Sequence, residues 1–247
     1  MQGLLQKNGK KVSLAYEFFQ DNFGMGGVNL VSFLGLRKYK VSMFTLIIAD
    51  EIIISEGVKI GAFNLIICKS LQLGKCSKIG NFNFIKGRFS VDMGVNAKIG
   101  NFNRISCSSK VEYHPVKFKM GDSAHVVSNH LFDMTDNVTL GSHTVIAGAG
   151  TQFWTHSYYI TEEGKEIRVD APVSVGRRCY VGARCVILSG VDICDGVTVG
   201  AMTCVSKSIM KTGVYVGGPI RYLPKDPEFL KKLGSPSVGN SVYRKHN

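Results

Sequence analysis

Seven aliphatic residues fall six positions apart without a break: Val169, Val175, Val181, Ile187, Ile193, Val199 and Val205. Gly or another small residue follows four of them, in Val175-Gly176, Val181-Gly182, Val199-Gly200 and Val205-Ser206. A period of six is neither the 3.6 of an amphipathic helix nor the 2 of a half-buried strand. It predicts a parallel β-helix, in which a short strand turns a corner every sixth residue and three strands close one coil. The aliphatic side chains fill the interior, and the small residue beside each lets the backbone bend.

The same phase runs back towards the N-terminus with slips. Ile48, Ile54, Ile60 and Ile66 form one run; Leu73, Ile79 and Ile85 resume after one extra residue; Met93, Ile99, Ile105 and Val111 follow after two more. Leu140, Ile146 and Gln152 make a fourth run before Val169. Two longer interruptions, near residues 112–133 and 156–172, read as loops projecting from single coils, where solenoids commonly carry binding function.

Three regions follow from the period. Residues 1–45 lack it: Ser13 to Phe23 reads as a short amphipathic helix, and Leu30 to Leu36 with Arg37-Lys38 as a second cap element or a membrane-touching patch. A cap is expected because an open solenoid end exposes strand edges. Residues 46–217 are the β-helix. Residues 218–247 leave the repeat, with Pro227 to Leu233 forming one or two closing helical turns. The 247-residue chain is 45% apolar and has no apolar run long enough to span a bilayer. The polar, basic N-terminus lacks a signal-peptide core, so a cytoplasmic location, at most peripheral to the inner face of a membrane, is the expectation. Seven cysteines without a CxxC pair read as small buried or corner residues in a reducing compartment. The net charge of +12 points to an anionic partner, but the basic residues are dispersed and carry no nucleic-acid-binding signature.

The most informative interruption runs from Gln152-Phe153-Trp154-Thr155-His156-Ser157 to Ala171-Pro172-Val173-Ser174-Val175-Gly176. A histidine at the lip of a coil is followed by a polar excursion and a proline-led return. Together with Val186-Ile187-Leu188-Ser189-Gly190-Val191, Val199-Gly200-Ala201-Met202-Thr203-Cys204-Val205-Ser206-Lys207 and Val216-Gly217-Gly218-Pro219-Ile220-Arg221, this resembles the hexapeptide-repeat O-acetyltransferases of maltose, galactosides and bacterial polysaccharides. The likeness covers about residues 126–223. Where that family has an acidic or Asn-rich corner, this chain has Arg177-Arg178.

The resemblance implies an all-β, left-handed parallel β-helix with a short helical cap and a C-terminal tail, assembled as a homotrimer with active sites between subunits. It implies acetyl-CoA as acetyl donor and a saccharide acceptor, which the basic balance tilts towards an anionic capsular or lipopolysaccharide glycan. His156 becomes the general base, since imidazole is matched to deprotonating a hydroxyl near neutral pH. Asn129, in Val127-Ser128-Asn129-His130, orients the acceptor, although the acid that follows, Asp133, stands one place earlier than in the family. Asn103 competes for that role, but Asn101-Phe102-Asn103 repeats Asn81-Phe82-Asn83, which suits corner geometry because Asn tolerates positive φ. The backbone N–H of Ala183 is the implied oxyanion donor. Ala183, Ala201 and Thr203 would line acetyl-CoA, with Lys207, Pro219 and Arg221 near its nucleotide. Trp154 offers a sugar platform or packs beneath the loop. The segment from Glu112 to Ala124, with His114, Lys117 and Lys119, is the place for acceptor selectivity.

Two other enzyme readings remain open at this point. An amino-sugar N-acetyltransferase would use the same base on an amine. A γ-class carbonic anhydrase shares the β-helix and needs three zinc-bound histidines, for which His125, His130 and either His143 or His114 are candidates. A non-catalytic scaffold, with His156 incidental, is the third class.

Overall fold

The computed structural model describes residues 29–31, 41–42, 44–107, 114–218 and 221–223, with backbone alone at 29–31 and 221–223. The expected helix at Ser13 to Phe23, the closing turns at Pro227 to Leu233, Val111 and Pro219 lie outside these residues.

The described chain is an all-β parallel coil with three faces. Successive rungs of the first face align Ile47, Ile66, Ile85, Ile105, Phe132, Phe153, Ile187 and Val205. The second face carries the strands Ser90–Met93, Lys117–Met120, Val138–Leu140, Val173–Val175 and Asp192–Ile193. On the third are Lys59–Ile60, Lys78–Ile79, Lys98–Ile99, His125–Val126, Val145–Ile146, Tyr180–Val181 and Thr198–Val199. Two longer strands, Leu46–Ile54 and Leu65–Leu73, run through a corner and join the first two faces.

The six-residue register places Val175, Val181, Ile187, Ile193, Val199 and Val205 in one buried core, each at most 1% exposed. Three positions depart from it. Val169 lies on the antiparallel ribbon His156–Ile160 with Glu166–Asp170 and is 45% exposed, so the regular run starts at Val175. At Gln152 the interior position passes to Phe153, which stacks on Phe132 at 4.6 Å. Ile48 packs outward with Ile67, leaving Ile47 and Ala49 inside. The changes at Gln152 and Ile48 each move one residue along a strand and therefore reverse the face the side chain meets.

The 112–133 interruption is mostly regular coil, because Met120, Val126 and Phe132 are buried in the core at six-residue spacing. Residues 112–113 lie outside the described residues, and Val116 and Phe118 already face the core. The interruption at 156–172 is a genuine excursion, the ribbon named above. At the N-terminal end the coil begins by Val41, bridged to Ile60, and Asn29–Val31 pairs antiparallel along Leu46–Ile54, covering part of the edge that a cap was expected to cover.

The corners also differ from expectation. The glycines after the aliphatic positions are there for coil stacking: a Cβ on Gly80 would lie 2.5 Å from the Gly100 carbonyl oxygen. Positive φ falls two residues later, on Phe63, Phe82, Phe102 and Asn129, at 57–58°. Asn103 is not the left-handed residue of its motif. With Asn64 and Asn83 it forms a buried ladder in which each side-chain oxygen accepts the backbone N–H of the next rung, at 2.9–3.0 Å. His130 takes the following rung, accepting the Thr151 N–H on Nδ1 at 3.2 Å. All seven cysteines are free; Cys68, Cys179 and Cys185 are buried, and burial pushes the Cys68 thiol up to about 12.

Candidate active site

The end of the first face creates the chemistry. Leu131–Asp133 and Gln152–Phe153 pair in register, so the residues that follow them meet at one corner, a single coil apart. Thr155 is fully buried there and ties the two coils together. Its hydroxyl accepts the backbone N–H groups of Thr135 and Asp136 at 2.9 and 3.0 Å and donates to Asp133 Oδ2 at 2.8 Å.

Asp133, 5% exposed, turns that same Oδ2 to His156 Nδ1 at 2.8 Å, while Thr135 Oγ1 donates to Oδ1 at 3.3 Å. A buried carboxylate in this position accepts, so the imidazole carries its proton on Nδ1 and presents Nε2 as a lone pair. Trp154 and Tyr158 flank the ring edge-on, each with its centroid 5.9 Å away. The Trp154 indole N–H is held by Gln152 at 3.0 Å, which fixes that wall. Arg168 spans the ribbon, donating to Asp170 Oδ1 at 2.7 Å and to Thr135 Oγ1 at 3.1 Å. This constellation is an oriented base with one open nitrogen, chemically fit to take a proton from a hydroxyl or an amine.

The sequence pointed to His156, whereas it marked Asp133 only as the acid that follows Asn129, one place early. It missed Thr135, Arg168 and Asp170, whose contacts form only when neighbouring coils stack or the ribbon folds back. The Thr-His dipeptide was the available signal for Thr155. His114 belongs to the same corner: its Nε2 meets Asp136 Oδ1 at 2.9 Å, an acid that sequence reading passed over.

The other expected site residues are elsewhere. Asn129 sits before Leu131–Asp133, at the opposite end of the first face from His156. Ala183 occupies that far corner too; its backbone N–H has no partner among the described residues. Ala201 and Lys207 are exposed. Thr203, expected to line the acetyl donor, is 1% exposed and its hydroxyl accepts the Gly217 N–H at 3.3 Å, so it serves the inner ladder instead. Of Arg221 only the backbone is described, in a strand antiparallel to Val214–Val216. Arg177 is paired with Asp195 at 2.8 Å, and Arg178 fills a left-handed corner position with φ 54°. Lys117 and Lys119 point outward from the second face.

The histidines proposed for zinc do not converge. His130 lies inside the coil, where burial lowers its pKa to about 4, whereas His125 points out of the third face and His114 is held by Asp136. Among the described residues no three metal-ligating side chains are grouped, and no helix is long and apolar enough to cross a membrane.

Comparison with known proteins agrees with this architecture. Residues 172–205 match the family described as the hexapeptide repeat of succinyl-transferase. Over 99 residues the chain is 34% identical to YvoF of Bacillus subtilis, a protein named as an acetyltransferase, covering 40% of this chain and 54% of the relative. It is 31% identical over 117 residues to WcaF of Escherichia coli, named as a colanic acid biosynthesis acetyltransferase, covering 45% and 60%. The aligned parts thus span little more than half of these relatives. Among solved structures, the polysialic acid O-acetyltransferase OatWY superposes with TM-score 0.54 and 18% identity, over 70% of this chain and 84% of its own. The N-acyltransferase AntD of Bacillus cereus gives 0.50 and 21%, over 66% and 91%. These last two likenesses establish the shared fold, a left-handed β-helix. Residues 172–205 thus carry a hexapeptide repeat, and the aligned stretches are similar to proteins named as acetyltransferases.

Proposed function

We propose that this protein transfers acetyl from acetyl-CoA to a hydroxyl of a saccharide, with a bacterial surface polysaccharide or its precursor as acceptor. The observation that carries the reading is the 2.8 Å contact between Asp133 Oδ2 and His156 Nδ1, because it leaves Nε2 free to act as base. The acceptor O–H donates to Nε2 and loses its proton as its oxygen attacks the thioester carbonyl. The imidazolium that forms is stabilised by the buried Asp133 carboxylate. Collapse of the tetrahedral adduct breaks the C–S bond; the thiolate of CoA takes the proton from Nε2, leaving a sugar ester, free CoA thiol and neutral His156.

Self-association is part of the proposal. The open Ala183 N–H suits a developing oxyanion, yet with Asn129 it lies across the first face from His156. A second subunit brings such corners together, and the homotrimer is the proposed assembly. The ribbon supports this: one of its faces carries His156, Tyr158 and Arg168, and the other exposes Tyr159, Ile167 and Val169, at 65%, 49% and 45%. Acetyl-CoA would then lie along Ala183 and Ala201, with Lys207 and Arg221 available to its phosphates. Exposed hydroxyl-bearing anionic glycans fit the net charge of +12.

The test offers acetyl-CoA with neutral and acidic saccharides and an amino sugar, following thiol release and locating the new bond by mass spectrometry. An ester whose formation falls by about 10²–10⁴ in His156→Ala is expected. An amide product would replace the hydroxyl acceptor by an amine, and full turnover by His156→Ala would remove the assigned base.

A further inference from the structure

Three successive coils repeat one pattern through the third face and into the next corner: Lys59-Ile60-Gly61-Ala62-Phe63-Asn64, Lys78-Ile79-Gly80-Asn81-Phe82-Asn83 and Lys98-Ile99-Gly100-Asn101-Phe102-Asn103. The interior residues of this pattern, Ile and Asn, are explained by the core and the buried ladder. Its outward residues, Lys and Phe, are not.

The phenylalanines stand on the corner itself, which is the protruding edge of the coil. Phe63, Phe82 and Phe102 are 50%, 48% and 54% exposed. Their rings lie face to face, with centroids 4.9 and 5.0 Å apart and planes within 4°, and Phe44 continues the stack at 5.2 Å. All three hold φ of 57–58°, a conformation that Gly or Asn adopts with less strain. Stacking joins ring to ring, but it does not account for a bulky aromatic kept half exposed at a left-handed position in consecutive coils. Because each ring covers its neighbour's face, what reaches solvent is a continuous line of aromatic edges. A sugar ring would need an open aromatic face, so the ridge is unsuited to stacking saccharides.

Beside the ridge, Lys59, Lys78 and Lys98 pair in register along the third face and are all exposed. Like charges one strand apart repel, and no ion pair involves these three among the described residues. Arg104, over the Phe84 ring at 5.6 Å, lies on the other flank. A homotypic contact would need a matching row of acids, but outward Asp92 has Gln72 and Lys119 as its in-register partners.

We propose that this ridge docks the protein on an anionic lipid bilayer, with the aromatic edges entering the headgroup–acyl boundary and the lysine row meeting lipid phosphates. An apolar line flanked by stacked cations matches both layers of such a surface. The ridge occupies the coils before Asn129 on the edge that also carries Asn129 and Ala183, and His156 stands at the next corner of the coil. The inference does not depend on the acyl-transfer reading.

The test is flotation of the full chain with vesicles of phosphatidylcholine alone and of phosphatidylcholine with an equal part of phosphatidylglycerol. Binding to the anionic vesicles, weakened by salt, is expected. The triple variant Phe63→Asn/Phe82→Asn/Phe102→Asn, which keeps residues suited to positive φ, should lose at least about tenfold in affinity. Lys59→Gln, Lys78→Gln and Lys98→Gln should each cost about fivefold, with circular dichroism confirming that all variants fold. Equal binding to both vesicle types, or undiminished binding by the triple aromatic variant, would overturn the proposal. So would a change in oligomeric mass, on sizing the aromatic variant, with vesicle binding retained, which would make the ridge a contact between copies.

Discussion

Two corners of the same coil follow opposite rules. At the corner between the third and first faces, consecutive rungs repeat Phe63, Phe82 and Phe102 above a buried ladder of Asn64, Asn83 and Asn103. Identical residues work because each rung presents the next with the same acceptor and the same ring. At the corner between the first and second faces the rungs differ: Asp133, Thr135 and Asp136 in one coil meet Thr155 and His156 in the next. Here a donor in one coil needs an acceptor in its neighbour, so identity must change from rung to rung. In a solenoid, repetition therefore marks positions satisfied by stacking, and its loss marks positions where neighbouring coils do something different for each other. Asn129 and His130, which end the Phe and Asn columns, sit at the changeover.

The largest expected effect tests the varied corner. Asp133→Asn keeps the shape but supplies one acceptor oxygen where Oδ2 alone now serves both the Thr155 hydroxyl and His156 Nδ1. An amide N–H turned to Nδ1 selects the tautomer with its proton on Nε2, so turnover should fall by about 10² or more while KM moves little. Unchanged turnover would make His156 a base that needs no partner.

A second test concerns His130, the histidine that interrupts the asparagine ladder. Its pKa is lowered to about 4 chiefly by burial, from about 6.5 when unfolded. The unfolded chain therefore binds the extra proton first. Stability is fully present above about pH 6.5 and declines as pH falls to about 4, by up to about 3 kcal/mol. His130→Asn continues the ladder and should flatten that acid limb in urea titrations; an equally steep limb would place the sensitive group elsewhere.

Asn83→Ala probes the repeated column directly. It strips the acceptor from the Asn103 N–H and the donor from the Gly100 carbonyl, and should cost about 1–3 kcal/mol in a thermal or urea melt. The smallest change is expected from Phe82→Asn. Relief of left-handed strain offsets the lost stacking, leaving stability within about 1 kcal/mol. A large loss would show the ridge to be structural and weaken its reading as a docking edge.

The coil is written in the spacing of the aliphatic residues. Its aliphatic residues must be buried, and a six-residue spacing buries them all only if the chain turns at every sixth position, so the core from Val175 to Val205 was legible without coordinates. His156 was legible as a candidate base through the motif around it; Asp133 stood out only as the acid after Asn129, not as the partner of His156. Register at single-residue precision was not legible: Gln152 and Ile48 fit the period, yet a shift of one residue turned each away from the core, and Val169 fits it but lies on the ribbon. Nor were the partners of the base. Thr135, Thr155, Arg168 and the open Nε2 of His156 depend on which coil lies above which and on a ribbon that folds back across the corner. Hydrophobic periodicity is a property of one strand, whereas a hydrogen-bonded site is a property of two. That is why stacking alone decided where the chemistry sits.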